Sequence, residues 1–125
     1  MKSVIIGAGT YGEVYLSYLQ EAGVDVIGLL DDAPKSNIVK NIPILGGIDS
    51  LPSLKDRYGI ESVYCPIGNN KLRVKFLSLA KKLGYKTPNY IHPSVTISPN
   101  VTIGEGVYIL LGTTIMPYAI IKDYT

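Results

Sequence analysis

The chain has no tryptophan, one phenylalanine, one histidine and one cysteine among its 125 residues. A lone cysteine, Cys65, cannot form an internal disulfide, so a cytoplasmic setting fits. A lone histidine, His92, leaves no cluster with metal-ligand spacing. No stretch approaches the ~20 apolar residues that a membrane helix needs. The opening apolar run, Val4-Ile5-Ile6, stops at Gly7 and is far too short for a signal peptide. Charge is also scarce: 12 basic against 10 acidic residues leave a net +2, too little to argue for nucleic acid or an anionic membrane. Aromatic content is almost all tyrosine, which suits half-buried packing. What the chain does have is apolar residues, 46% of the total. That supports a core for one full domain and the beginning of another.

The first ninety residues alternate short apolar runs with longer helical patterns. Ser3 to Ile6 reads as a buried strand ended by glycine. Tyr11 to Ala22 reads as a helix with Val14, Leu16, Tyr18 and Leu19 on or near its inner face and Gly23 as its C-cap. Val24 to Leu30 is a second strand, Asp31 to Asn41 a loop, and Ile42 to Leu45 a short strand closed by Gly46-Gly47. A helix begins at Asp49 and ends near Gly59. Ile60 to Ile67 is a strand. Asn69 to Leu83 is a helix with Leu72, Phe76, Leu79 and Leu83 at helical spacing. Tyr85 to Tyr90 is a last, weaker strand. This order predicts an α/β, Rossmann-like domain over residues 1–90, with a parallel sheet between helices.

After Tyr90 the pattern changes. Isoleucine recurs every six residues, at Ile91, Ile97, Ile103, Ile109, Ile115 and Ile121. A small or β-branched residue follows each one four places later, from Val95 to Thr125. No helix explains a period of six. A single alternating strand of that length would be interrupted by Pro93, Pro99 and Pro117. A hexapeptide repeat explains it: each hexapeptide makes one side of a prism, and the isoleucines stack inside. Residues 91–125 are therefore expected to form the first coils of a left-handed parallel β-helix, incomplete at just under two turns. An uncapped end would expose isoleucine and a raw sheet edge, so the natural chain is expected to continue past Thr125.

The candidate site gathers at strand ends. Gly7-Ala8-Gly9-Thr10-Tyr11-Gly12 is a G-x-G-x-x-G turn between strand and helix. Its glycines permit a tight turn and close approach of a ligand, and the helix N-terminus behind them suits phosphate. Asp31 and Asp32 close the second strand about 20 residues on, where a carboxylate can accept ribose hydroxyls. Lys35, in the following loop, joins this set. Gly68 permits close backbone approach, and Asn69 either caps the next helix or bonds a ligand. That helix carries Lys71, Arg73, Lys75, Lys81 and Lys82, mostly a solvated face, although Arg73 can reach a phosphate. A strand–helix turn with no ligand, or one that binds NAD, remains open on these residues alone. His92 reads as a corner residue and Cys65 as a core residue, so no catalytic residue is assigned.

The whole chain resembles the sialic-acid O-acetyltransferase family and its relatives that N-acetylate UDP-amino-sugars. The matching segments are V-I-I-G-A-G-T-Y-G-E-V, L-L-D-D, I-P-I-L-G-G-I-D-S-L, P-I-G-N-N and I-H-P-S-V-T-I-S-P-N-V-T-I-G-E-G-V. The resemblance implies a bacterial enzyme of surface glycan assembly. It implies a homotrimer, with acetyl-CoA bound between neighbouring β-helices and a nucleotide-sugar, UDP-linked, held at the N-terminal domain. The implied reaction is direct acyl transfer, in which a general base deprotonates the acceptor and a donor stabilises the oxyanion. Two features depart from the family: Tyr11 stands where histidine is frequent, and the histidine base of a later coil has no counterpart before Thr125. These 125 residues are thus expected to bind substrate without transferring acetyl. The alternatives are sugar O-acylation, as on sialic acid, and a non-catalytic nucleotide-binding module.

Overall fold

The computed structural model describes residues 1–125, apart from the side chain of Thr10. The chain divides into two compact units, Met1–Thr87 and Pro88–Thr125.

The first unit is a mixed sheet with parallel strands carried by helices. Its elements are β1 (Lys2–Ile6), α1 (Thr10–Glu21), β2 (Asp25–Leu30), β3 (Ile38–Val39) and β4 (Ile42–Gly46), then a 3-10 helix (Ile48–Ser53), α2 (Leu54–Tyr58), β5 (Ser62–Tyr64) and α3 (Asn70–Lys82). The strand order is β3-β4-β2-β1-β5. β1 pairs parallel with β2 and β5, and β2 pairs parallel with β4. Val4, Ile5, Leu29, Leu30 and Val63 are fully buried, as expected of central strands covered on both faces. On α1, Gly12, Tyr15, Leu16 and Leu19 are buried at helical spacing. The helix stops at Gly23, whose φ of +81° is the left-handed turn that glycine adopts without strain. From β1 the chain builds outward through β2 to β4, then crosses back to β5 on the other side. Strand order thus reverses beside β1, and in open parallel sheets the crevice at the carboxyl ends of such strands is where ligands bind.

Several expectations need adjusting. The segment Asp31–Asn41 is not all loop. Ile38–Val39 pairs antiparallel with Ile42–Pro43 across a tight turn at Lys40 and Asn41, both with positive φ (47° and 66°). That is the backbone of a two-residue hairpin, normally signalled by Asn-Gly. The single helix expected from Asp49 to Gly59 is split, because Pro52 lies inside a 3-10 turn and α2 starts only after it. Beyond α3, Lys86 makes one parallel bridge to Ser62 where a strand was expected. A side chain holds that segment: the Tyr85 hydroxyl donates to the Leu51 carbonyl and accepts from the Lys55 amide. Val14, expected on or near the inner face of its helix, is 39% exposed, and Leu72, one of the apolar residues at helical spacing, is 40% exposed. Tyr15 on α1, and Leu77 and Ala80 on α3, are buried instead.

The second unit is built from six two-residue strands. They are β6 (Tyr90–Ile91), β7 (Thr96–Ile97), β8 (Thr102–Ile103), β9 (Tyr108–Ile109), β10 (Thr114–Ile115) and β11 (Ile120–Ile121). β6 pairs with β9, β7 with β10 and β8 with β11, all parallel and all eighteen residues apart. Backbone amides link the same strand pairs, each reaching a carbonyl seventeen residues on, for example Tyr90 N–H to Val107 O and His92 N–H to Ile109 O, both 2.9 Å. Val107, Ile109 and Ile115 form the buried centre, with Ile91, Val95, Val101, Ile103, Ala119 and Ile121 packed against it. Every sixth residue from Asn100 to Tyr124 turns a corner in the left-handed region: Asn100, Gly106, Gly112, Tyr118 and Tyr124.

Candidate functional site

The glycine-rich turn separates three glycines by purpose. Gly7 has φ +100° and donates its amide to Leu30 O at 2.7 Å. A methyl group at Gly7 would lie 2.7 Å from Ile67 Cγ2. A methyl group at Gly12 would overlap the Gly7 carbonyl, lying 2.8 Å from its carbon. Gly12 is therefore what lets α1 start directly against the turn. Gly9 differs, because nothing lies within 4 Å of where its side chain would be. Packing does not demand glycine there. It is also the N-cap of α1, with no side-chain hydrogen bond satisfying the helix end. The first amides of a helix have no intrahelical acceptors, so this end presents donors and a positive dipole to open space. Thr10 lies outside the described side chains.

The two aspartates do structural work at the end of β2. Asp31 Oδ2 accepts the Ala8 amide at 2.8 Å, and its Oδ1 accepts the Ala33 amide at 2.9 Å. Its carboxylate thus clamps the glycine-rich turn to the loop after β2. Asp32 Oδ1 accepts the Ile48 amide at 2.9 Å, so Asp32, rather than Asp49, serves the start of the 3-10 helix. Gly47 is glycine because a methyl group there would meet that same carboxylate.

The other sequence-derived candidates lie across the crevice. The Asn69 side chain accepts from the Leu72 amide at 3.0 Å and caps α3. Arg73 turns back on its own loop: Nη1 donates to Ile67 O at 2.9 Å and Nη2 to Asn70 Oδ1 at 2.7 Å. Its guanidinium holds Ile67–Asn70 in place. Tyr11 is 56% exposed, and its ring lies beside Gly68, where a methyl group would be 3.3 Å from Cε2. Lys71, Lys75, Lys81 and Lys82 are all exposed.

Two cavities meet at Asp31. One, of about 370 Å³, lies at the carboxyl ends of β1, β2 and β5. Ile6, Leu30, Ile48, Ile67, Leu72 and Phe76 make it apolar, and Gly7, Gly68, Asp32 and Asn69 border it. The other, of about 470 Å³, lies between the turn and the β3–β4 hairpin, lined by Gly9, Glu13, Asp31, Lys35, Ser36 and Lys40 among others. Sequence reasoning missed Ile48, Ile67, Glu13 and Lys40, and it placed Leu72 and Phe76 only at helical spacing on their helix. The signal for the last two was present: they are four apart on a helix that also needs Leu77 and Ala80 inward, so α3 carries two apolar stripes.

Cys65 is fully buried beside this crevice, and desolvation pushes its thiol up to about 12 despite the Ile67 backbone and Arg73 nearby. It is no thiolate at neutral pH. His92 Nδ1 accepts the Ser94 amide at 3.1 Å and lies 2.8 Å from Ser94 Oγ, which makes it a turn residue. Among the described residues no three His, Cys, Asp or Glu side chains converge as a metal site.

A glycine-rich strand-to-helix turn, an acidic strand end and a crevice at a reversal of strand order lie together at one end of this α/β sheet. Residues 2–79 match the PglD N-terminal domain, and the chain belongs to that family. Its fold is similar to that of a perosamine N-acetyltransferase variant from Caulobacter crescentus solved with CoA and GDP-perosamine. The identity is 34%, the TM-score 0.89, and the match covers 99% of this chain and 58% of that one. It is also similar to the acetyltransferase domain of PglB from Neisseria gonorrhoeae in complex with acetyl coenzyme A. There the identity is 30% and the TM-score 0.85, over 98% of this chain and 59% of that one. An uncharacterized protein of Acanthamoeba polyphaga mimivirus is 24% identical over 120 residues, which is 96% of this chain and 23% of that protein. The chain thus spans less than two thirds of each of these relatives. No helix is long and apolar enough to cross a membrane.

Proposed function

We propose that this chain is the substrate-binding end of an acetyl-CoA-dependent N-acetyltransferase that acts on a nucleotide-linked amino-sugar in glycan biosynthesis. The observation that carries the reading is the likeness, over nearly the whole chain, to an N-acetyltransferase solved with CoA and a nucleotide-sugar. That neighbour is an N-acetyltransferase, which supports amine over hydroxyl acylation. The nucleotide sits at the strand-end crevice. Its diphosphate meets the amides at Gly9 and the start of α1, and its base enters the apolar cavity bordered by Gly68 and Asn69. Gly7 and Gly12 shape the turn, Asp31 clamps it, and Asp32, Lys35 and Tyr11 border the bound molecule. Arg73 acts by holding the loop that carries Gly68. UDP is the nucleotide expected from sequence, and the GDP-sugar of the neighbour makes GDP its rival.

The eighteen-residue parallel pairing of Pro88–Thr125 supports a left-handed β-helix, and with it a homotrimer that binds acetyl-CoA between copies. We place the enzyme in the cytoplasm, since a chain with a single cysteine has no internal disulfide to form. The chemistry is attack of the sugar amine on the thioester, with a base to take its proton and a donor for the oxyanion. His92, tied to Ser94, is not that base, so residues 1–125 alone bind substrate without turning it over.

Calorimetric titration with UDP, GDP, GDP-perosamine and NAD, one at a time, tests this, alongside a free-thiol assay with acetyl-CoA. Binding of a nucleoside diphosphate and its sugar, with no binding of NAD, is expected. Binding of NAD alone would overturn the substrate class.

A further inference from the structure

We infer that Glu13, rather than the aspartate at the end of β2, accepts the ribose hydroxyl of the bound nucleotide. The inference rests on the nucleotide-sugar reading above. In dinucleotide folds the acidic residue at this strand end takes the ribose, and Asp31 occupies that position. Here, however, each Asp31 oxygen already accepts a backbone amide, one from Ala8 and one from Ala33. Both oxygens hold the turn, so a ribose hydroxyl at Asp31 would have to share them with these amides, whereas among the described residues no backbone amide is bound to the side chain of Glu13 in the same cavity wall. Its neighbour Asp32 is turned to the amide of Ile48, on the side of the apolar cavity.

Glu13 sits one turn into α1, exposed, and lines the 470 Å³ cavity together with Gly9. An ionised carboxylate only accepts hydrogen bonds and an ammonium only donates them. The polar wall of this cavity offers both kinds: Glu13 on α1 beside Asp31 at the end of β2, and Lys35 and Lys40 on the loop and hairpin. Lys40 reaches across to α1, where its Nζ bonds Ser17 Oγ. The complement of such a wall is a molecule that joins hydroxyl donors to phosphate acceptors, which is a ribose phosphate. Gly9, open on the same cavity, is where the phosphate approaches the backbone. Glu13 thereby selects ribonucleotides over their 2′-deoxy counterparts.

The test is titration of the chain with UDP and 2′-deoxy-UDP, and with GDP and 2′-deoxy-GDP, for the unchanged protein, Glu13→Gln and Asp31→Asn. A hydrogen bond to a charged acceptor corresponds to a preference of about tenfold or more. The unchanged protein is expected to prefer the ribonucleotide by that factor. Glu13→Gln should lose most of the preference at an unchanged melting temperature, since the residue is exposed. Asp31→Asn should melt lower and keep the preference. Retention of the full preference in Glu13→Gln, or its loss only in Asp31→Asn, would overturn the inference. Tight binding with no ribose preference in the unchanged protein would overturn it while leaving the nucleotide-sugar reading intact. Binding of neither nucleotide would overturn both.

Discussion

The same substitution at two glycines of one motif should separate folding from binding. At Gly12 a methyl group would overlap the carbonyl of Gly7, a backbone group that cannot rotate away. Either α1 shifts off the sheet or the turn opens, and overpacking of this kind costs about 1–3 kcal/mol. Rigid backbone on both sides argues for the upper end. For a unit of this size about 3 kcal/mol lowers the melting temperature by roughly 12–24 °C. At Gly9 the φ of −75° suits any residue and the space is empty. Alanine is a poorer N-cap than glycine by some tenths of a kcal/mol. It also removes about 0.4–1 kcal/mol of unfolded-chain entropy, so the two effects nearly cancel. Gly9→Ala should therefore melt within a few degrees of the unchanged protein yet bind nucleotide at least tenfold more weakly, because the methyl group occupies the path of the phosphate. Thermal melts by circular dichroism and calorimetric titration on both variants give the answer. A Gly12→Ala variant as stable as the parent would refute the packing argument. A Gly9→Ala variant with unchanged affinity would refute the open-glycine argument.

Other consequences follow from the same geometry. Tyr118 is 75% exposed and holds φ 63°, so Tyr118→Asn should raise stability by about 1 kcal/mol in a melt by relieving the left-handed strain. Asn89 accepts the Val107 amide and donates to Gly104 O, both at 2.9 Å, and Asn89→Ala should cost about 1–3 kcal/mol by stranding those groups. Burial raises the Cys65 thiol from 9.0 to about 12. The native state thus keeps a proton that the unfolded chain releases above about pH 9. The resulting stability is fully present below pH 9 and is lost as pH rises toward 12. Cys65→Ala should flatten that part of the denaturant-midpoint profile relative to the parent, and an identical slope in both would contradict the burial.

The glycine-rich turn was legible because its demands are local: Gly7 needs positive φ and Gly12 needs room, and both follow from strand–turn–helix grammar. The strand at each recurring isoleucine was legible for a similar reason, since β6 to β11 each end on one. The β3–β4 hairpin was hidden, because its turn is Lys40-Asn41 rather than a glycine pair and its first strand is two residues long. Pro52 was visible, but whether it starts, kinks or splits a helix depends on what the chain packs against. At the site, sequence could place acidic residues at the end of β2 but could not show that the Ala8 and Ala33 amides occupy both oxygens of Asp31. Nothing in the sequence singled out Glu13. Leu72 and Phe76 were legible only as part of a helical apolar spacing, because periodicity reports a stripe without saying whether protein or ligand covers it.

The eighteen-residue pairing of the second unit makes its length quantised. A one-residue insertion between Ile91 and Ile121 would turn every later isoleucine outward and break each downstream amide pairing, so it acts far from where it occurs. Insertion of six residues keeps the isoleucines inward but moves each later strand to the next face. Only a block of eighteen returns every strand to its own column. Evolution and protein engineers alike can therefore lengthen or shorten this segment in whole turns, while the loops of the first unit remain free to vary residue by residue.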